Sequence, residues 1–141
     1  MRGCASWSPA GLRRGRMDNV SPVSRHILVI DDSLLMREAA KLGLERAGWT
    51  TSLAEDGTAG LAVATQERPT AVLLDLLMPG IDGLEVLRRL RSDPATADVP
   101  VVLLTASPEE ASGHGADGVI AKPFPPLELA ALVRDQLGWT D

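Results

Sequence analysis

From residue 26 onward, short apolar runs alternate with stretches of helical periodicity. The first run, His26–Ile30, is apolar after its opening residue and stops at Asp31, which predicts a strand buried on both faces. Ser33 is placed to cap a helix whose inward face carries Met36, Ala40, Leu44 and Ala47, with Gly48 closing it. Residues 49–53, rich in Thr, predict a second strand. Residues 57–66 predict a weaker helix, loosened by Gly60 and stopped by Pro69. Residues 71–74 form a third apolar run, ending at Asp75. Turn residues fill Met78-Pro79-Gly80-Ile81-Asp82-Gly83, and Asp82 caps a helix running to Arg91. A polar loop over 92–99 leads to a strand at 100–104, and a fifth strand covers Gly118–Ala121. Pro125-Pro126 opens a last helix with Leu129, Leu132, Val133 and Leu137 inward and Gly138 as its stop.

Five strands alternating with helices imply right-handed crossovers and an α/β fold: a doubly wound, five-stranded parallel sheet covered on both faces. Ligands of such sheets gather beyond the carboxyl ends of the strands. That rule singles out Asp31, Asp32, Asp75, Thr105 and Lys122.

Composition narrows the setting. The 141 residues carry a net charge of −5, with 45% hydrophobic and 23% charged residues, an ordinary globular mixture for one domain. A single cysteine, Cys4, excludes an intrachain disulfide and a cysteine metal cluster. No apolar run is long enough to span a bilayer, and the opening residues lack the apolar stretch of a secretory signal, so a cytoplasmic location is expected. Charge is unevenly divided. Residues 1–25 hold five arginines against Asp18, whereas the remainder holds nine basic and eighteen acidic side chains, a balance of −9. Residues 1–25 therefore read as a disordered basic tail, within which Met17 is an alternative start, and residues 26–138 as the folded domain. A domain this acidic repels a phosphate backbone, so direct DNA binding is not expected.

Three carboxylates brought to one sheet edge cannot all remain ionised without a proton or a cation among them. An all-oxygen set at a watery edge suits Mg²⁺ better than Ca²⁺ or Zn²⁺. Lys122 adds a point charge and Thr105 a hydroxyl. With a cation, they can neutralise the oxygens of a phosphoryl group while one carboxylate acts as nucleophile.

The pieces Ile30-Asp31-Asp32-Ser33, Leu74-Asp75-Leu76-Leu77-Met78-Pro79-Gly80-Ile81-Asp82-Gly83, Leu104-Thr105-Ala106 and Ala121-Lys122-Pro123-Phe124 stand in the order of a known family. On them the chain resembles the receiver domain of two-component response regulators, of the stand-alone, single-domain type, over about residues 26–138. The resemblance implies a flavodoxin-like (βα)5 fold in which Asp75 accepts a phosphoryl group from a phosphohistidine. The donor would be a sensor histidine kinase or a histidine phosphotransfer protein, and the downstream protein target is unnamed. The resemblance also implies Mg²⁺ held by Asp32, by Asp31 directly or through water, by Asp75 and by the Leu77 carbonyl. Thr105 would be the switch hydroxyl, Lys122 the partner of the Asp75 carboxylate or its phosphate, and the Lys122–Pro123 bond would be cis.

Taken without the resemblance, these residues have plainer readings. Asp31-Asp32 is also a capping turn, Thr105 a β-branched strand residue, and Lys122 a solvated turn lysine. His26 reads as a strand-entrance residue and His114 as a loop residue. Arg88, Arg89 and Arg91 read as a solvated helix face, Trp7 as part of the tail, Trp49 as packing, and Trp139 as a cover on the last helix.

Two departures from the family stand out. Val119 replaces the aromatic residue usual three positions before the lysine, and a stiff valine has no ring to swing. Lys122 follows Thr105 by only 17 positions, so residues 107–115 leave room for about two turns of a fourth helix. Beside the phosphoacceptor reading stands a receiver-like interaction module working without phosphate. A Mg²⁺-dependent phosphohydrolase is the third reading, opposed by the lack of a second Asp two residues after Asp75. The family's members are signalling proteins, so the expectation is no enzyme.

Overall fold

The computed structural model describes residues 25–111 and 113–140. Most of the expected basic tail, with Cys4, Trp7 and Met17, lies outside the described residues.

Five parallel strands make one sheet: β1 (His26–Ile30), β2 (Thr50–Ala54), β3 (Ala71–Asp75), β4 (Val101–Thr105) and β5 (Gly118–Ala121). Their order across the sheet is β2-β1-β3-β4-β5. The apolar runs are continuous because β1, β3 and β4 are covered on both sides. Alternate residues split between two cores, as the period-2 pleat of a strand demands. Ile27, Val29, Leu73, Val102 and Leu104 face one core, which α1 (Leu34–Arg46) and α4 (Leu129–Leu137) complete with Leu44 and Val133. Leu28, Ile30, Val72, Leu74 and Leu103 face the other, completed by α2 (Gly57–Glu67) and α3 (Gly83–Ser92) with Ala64, Val86 and Leu90.

The caps follow the sequence. Ser33 accepts from the Met36 N–H, and Asp82 from the Glu85 N–H, at the starts of α1 and α3. The helix α1 ends at Arg46 and is capped by Ala47, which is exposed rather than inward-facing, and Gly48 follows with φ 91°. The second strand begins one residue later than expected because the Trp49 N–H closes back on the Leu44 carbonyl. Gly60 has a packing role rather than being only a weakness: a Cβ there would overlap the buried Ile30 side chain, so glycine lets α2 approach β1 without displacing it.

The main departure lies between β4 and β5. The expected two-turn fourth helix is a single 3₁₀ turn, Pro108–Ala111. Gly113 and Gly115, at φ 83° and 89°, turn the chain away from helical geometry. Among the described residues the (βα)5 plan thus keeps five strands with four α-helices, and Val119, partly buried, packs on the side where that helix would lie. Arg91 departs from the solvated reading. It donates to the Ala97, Val99 and Gly115 carbonyls and pairs with Asp117 at 2.7 Å, tying α3 to the chain on both sides of β4. Arg88 and Arg89 instead pair with Glu85 on the exposed face. His26 also acquires partners, contacting Thr50, Ser52 and Glu67, and the bonds from Ser52 and His26 lower the Glu67 pKa. At the same end of the sheet Trp49 is buried, and its ring meets that of Trp139 edge to face.

Candidate functional site

The strands deliver their terminal residues to one rim. Asp31 follows β1 and is almost wholly buried; Asp75 ends β3 and is 5% exposed. With Asp32, each offers a carboxylate oxygen within 4.8 Å of the others. Lys122, in the turn after β5, reaches across to both buried carboxylates, with Nζ 3.0 Å from Asp31 Oδ2 and 3.2 Å from Asp75 Oδ1. The Lys122–Pro123 bond is cis.

Both oxygens of Asp31 and one of Asp75 have partners, as buried charge requires. Asp31 Oδ1 accepts from the Ser33 N–H at 2.9 Å, and Asp75 Oδ1 from the Leu77 N–H at 3.3 Å. Asp32 is exposed, with no side-chain hydrogen bond or ion pair among the described residues. Thr105 is buried at the end of β4. Its hydroxyl accepts from the Ser107 N–H, and its carbonyl from the Lys122 N–H at 2.8 Å. Leu77 is 72% exposed beside Asp75. Asp31, Asp32, Asp75 and Lys122 therefore come together, Leu77 joins through its backbone N–H, and Thr105 is tied to Lys122 through the main chain.

Burial raises the Asp75 carboxyl to about 6, and the nearby Asp31 charge adds to it; the Lys122 charge and the hydrogen bonds from Lys122 and Leu77 oppose the rise. Burial alone pulls Lys122 down, but the hydrogen bond and charge of Asp31, with those of Asp75, leave its pKa raised. One ammonium among three carboxylates leaves a deficit of two positive charges when all three are ionised. Together with the hard, all-oxygen donor set and the unengaged Asp32, that deficit fits a small divalent cation.

Sequence reasoning missed one residue at this rim. Arg37, in the first turn of α1, donates from Nη1 to the Asp31 carbonyl at 2.7 Å. The available signal was its position four residues after the Ser33 cap, from which a long side chain can reach back over the helix start.

A doubly wound parallel sheet with an acidic rim and a lysine opposite places the chain among receiver-type signalling modules. Residues 27–134 match the response regulator receiver domain family, and the chain belongs to that family. It is 41% identical over 120 residues to the DNA-binding dual master transcriptional regulator RpaA of Synechocystis, covering 82% of this chain and 50% of RpaA. It is 39% identical over 117 residues to the phosphate regulon transcriptional regulatory protein PhoB of Pseudomonas aeruginosa, covering 79% of this chain and 51% of PhoB. Among solved structures, the chemotaxis protein CheY4 of Vibrio cholerae superposes with a TM-score of 0.75 at 30% identity, covering 82% of this chain and all of CheY4.

The chain spans about half the length of these two regulators. The expectation that excluded DNA is corrected by them, since RpaA is a DNA-binding regulator and PhoB a transcriptional one. Acidity governs only how the receiver itself meets a phosphate backbone. It carries no information about the other half of a longer regulator. RpaA and PhoB carry the matching segment in a chain of about twice its length, whereas CheY4 is matched over its whole chain. Among the described residues no helix is long and apolar enough to cross a membrane.

Proposed function

We propose that this receiver accepts a phosphoryl group on Asp75 from a phosphohistidine donor, with Mg²⁺ held by Asp31, Asp32, Asp75 and the Leu77 carbonyl. The observation that carries the reading is the convergence of three carboxylates within 4.8 Å, spanned by Lys122. An Asp75 oxygen attacks phosphorus in line, the phosphorus–nitrogen bond breaks, and its electron pair returns to the donor imidazole. Held by these residues, the cation would supply charge neutralisation as the carboxylate attacks. Lys122 leaves the free Asp75 carboxylate for a phosphoryl oxygen, and the Thr105 O–H donates to another. Asp75 attacks only when ionised; burial and the Asp31 charge raise its pKa to about 6 in the absence of metal, and a divalent cation beside it would favour the ionised, reactive form. The DNA-binding and transcriptional relatives support an output on transcription for the regulator this domain serves.

Incubation with acetyl phosphate and Mg²⁺ followed by intact-mass analysis tests the reading. One added phosphoryl group, absent in Asp75→Asn, is expected. An unmodified wild-type chain would instead favour an interaction module independent of phosphate, to which Val119 and the single 3₁₀ turn lend support.

A further inference from the structure

Asp32 stands apart from the other two acids. Both oxygens of Asp31 are engaged, by the Ser33 N–H and by Lys122, and Asp75 is held by Leu77 and Lys122. Asp32 has no such hold, so its placement depends on the backbone that carries it. That backbone has left the sheet: the bond from the Asp31 N–H to the Ala54 carbonyl is the last link of β1 to its neighbour, and the next peptide lies beyond the ladder. The carbonyl of that peptide is the one Arg37 takes, at 2.7 Å.

We propose that Arg37 is a positioning residue for the metal edge of the site, setting the Asp31–Asp32 peptide so that the Asp32 carboxylate faces Asp75. The inference rests on the Mg²⁺-dependent phosphoacceptor reading and extends it to a residue outside the acidic set. A peptide unit is planar, so fixing its oxygen fixes the direction of the following N–H and the position of the Asp32 Cα. A guanidinium is suited to the task, because it stays charged and its short, charge-assisted bond resists rotation of the peptide. Arg37 is itself anchored, its N–H bonded to the Ser33 carbonyl at 3.0 Å in the first turn of α1.

Position and charge predict opposite outcomes. Acting only as a cation near the acids, Arg37 would repel Mg²⁺, and its removal would tighten binding. Acting as a positioning group, its removal loosens Asp32 and weakens binding.

Isothermal titration with MgCl₂ separates the two, using wild type, Arg37→Ala and Arg37→Gln, with heteronuclear NMR spectra to establish that each variant is folded. Arg37→Ala is expected to weaken Mg²⁺ binding about tenfold, the scale typical of groups that orient metal ligands. Arg37→Gln keeps a donor without the charge and is expected to recover part of the loss. The half-saturating Mg²⁺ for acetyl phosphate modification should rise in proportion. Unchanged or tighter binding by Arg37→Ala, beside a wild type that binds, overturns the positioning role alone. A wild type that takes up no Mg²⁺ overturns the reading of the site and this role with it.

Discussion

Replacing Asp75 by Asn should stabilise the metal-free fold at neutral pH. The wild-type carboxyl is raised from 3.8 to about 6, chiefly by burial and then by Asp31. With the folded pKa above the unfolded one, the native chain binds more protons than the unfolded chain between about pH 4 and 6. Stability therefore falls as the pH rises through that window, and the full cost is present above it. Two pKa units at about 1.36 kcal/mol each set the cost near 3 kcal/mol. That cost is already net of the 3.2 Å ion pair with Lys122, which in the variant keeps Asp31 at 3.0 Å. A net gain of about 1–3 kcal/mol is expected at pH 7.5, or roughly 4–12 °C in Tm for a domain of this size.

Urea unfolding followed by circular dichroism, in chelator, measures the difference at pH 7.5 and again at pH 4, where it should largely vanish. Mg²⁺ at a hundred times its Kd would stabilise the wild type by about 2.7 kcal/mol and close the gap. An Asp75→Asn chain no more stable than wild type at pH 7.5, or equally stabilised at pH 4, refutes the argument from buried charge.

Other perturbations read other parts of the molecule. Leu77, exposed and apolar beside Asp75, has no group to orient a hydrolytic water. The acyl phosphate should decay slowly, and Leu77→Gln should hasten its loss in a timed mass assay; a wild-type lifetime of seconds contradicts this. Beryllofluoride should move backbone NMR shifts around Thr105, the 3₁₀ turn and Lys122, with little change along β5 and α4, because Val119 has no ring to relocate. Large shifts along β5 and α4 would restore the usual switch. Arg91→Ala, which frees three carbonyls and Asp117, should cost about 1–3 kcal/mol in urea unfolding, and a loss under half that would return Arg91 to a solvated role.

What the sequence disclosed, and what it hid, divides by distance along the chain. β1, β3 and β4 were legible because burial on both faces leaves an unbroken apolar run, and the acids are the residues that end two of those runs. Ser33 and Asp82 each accept from an N–H three residues on, so local pattern found them. Contacts between distant residues left no such trace. Arg91 meets Asp117 across 26 positions and His26 meets Glu67 across 41, and nothing in either neighbourhood marks the partner. Arg37 sits only six residues from the carbonyl it holds, yet an arginine on a helix surface has many outlets. The fourth helix was overestimated because the length between Thr105 and Lys122 was weighed, while the turning effect of Gly113 and Gly115 was not followed to a single turn. DNA was excluded because one domain's charge was taken for that of a whole regulator.

The paired indoles carry an optical consequence. Trp49 precedes β2 and Trp139 follows α4, which returns antiparallel to the strands, so both rings stand at the amino ends of the strands, the far side of the sheet from the acids. Their centroids are 5.8 Å apart, and the Arg25 guanidinium lies 3.7 Å from the Trp139 centroid. In a Trp7→Phe background, intrinsic emission would follow loss of the tertiary packing around that pair while staying dark to cation uptake at the opposite rim. A spectral change on adding magnesium would then register strain carried the whole length of the strands.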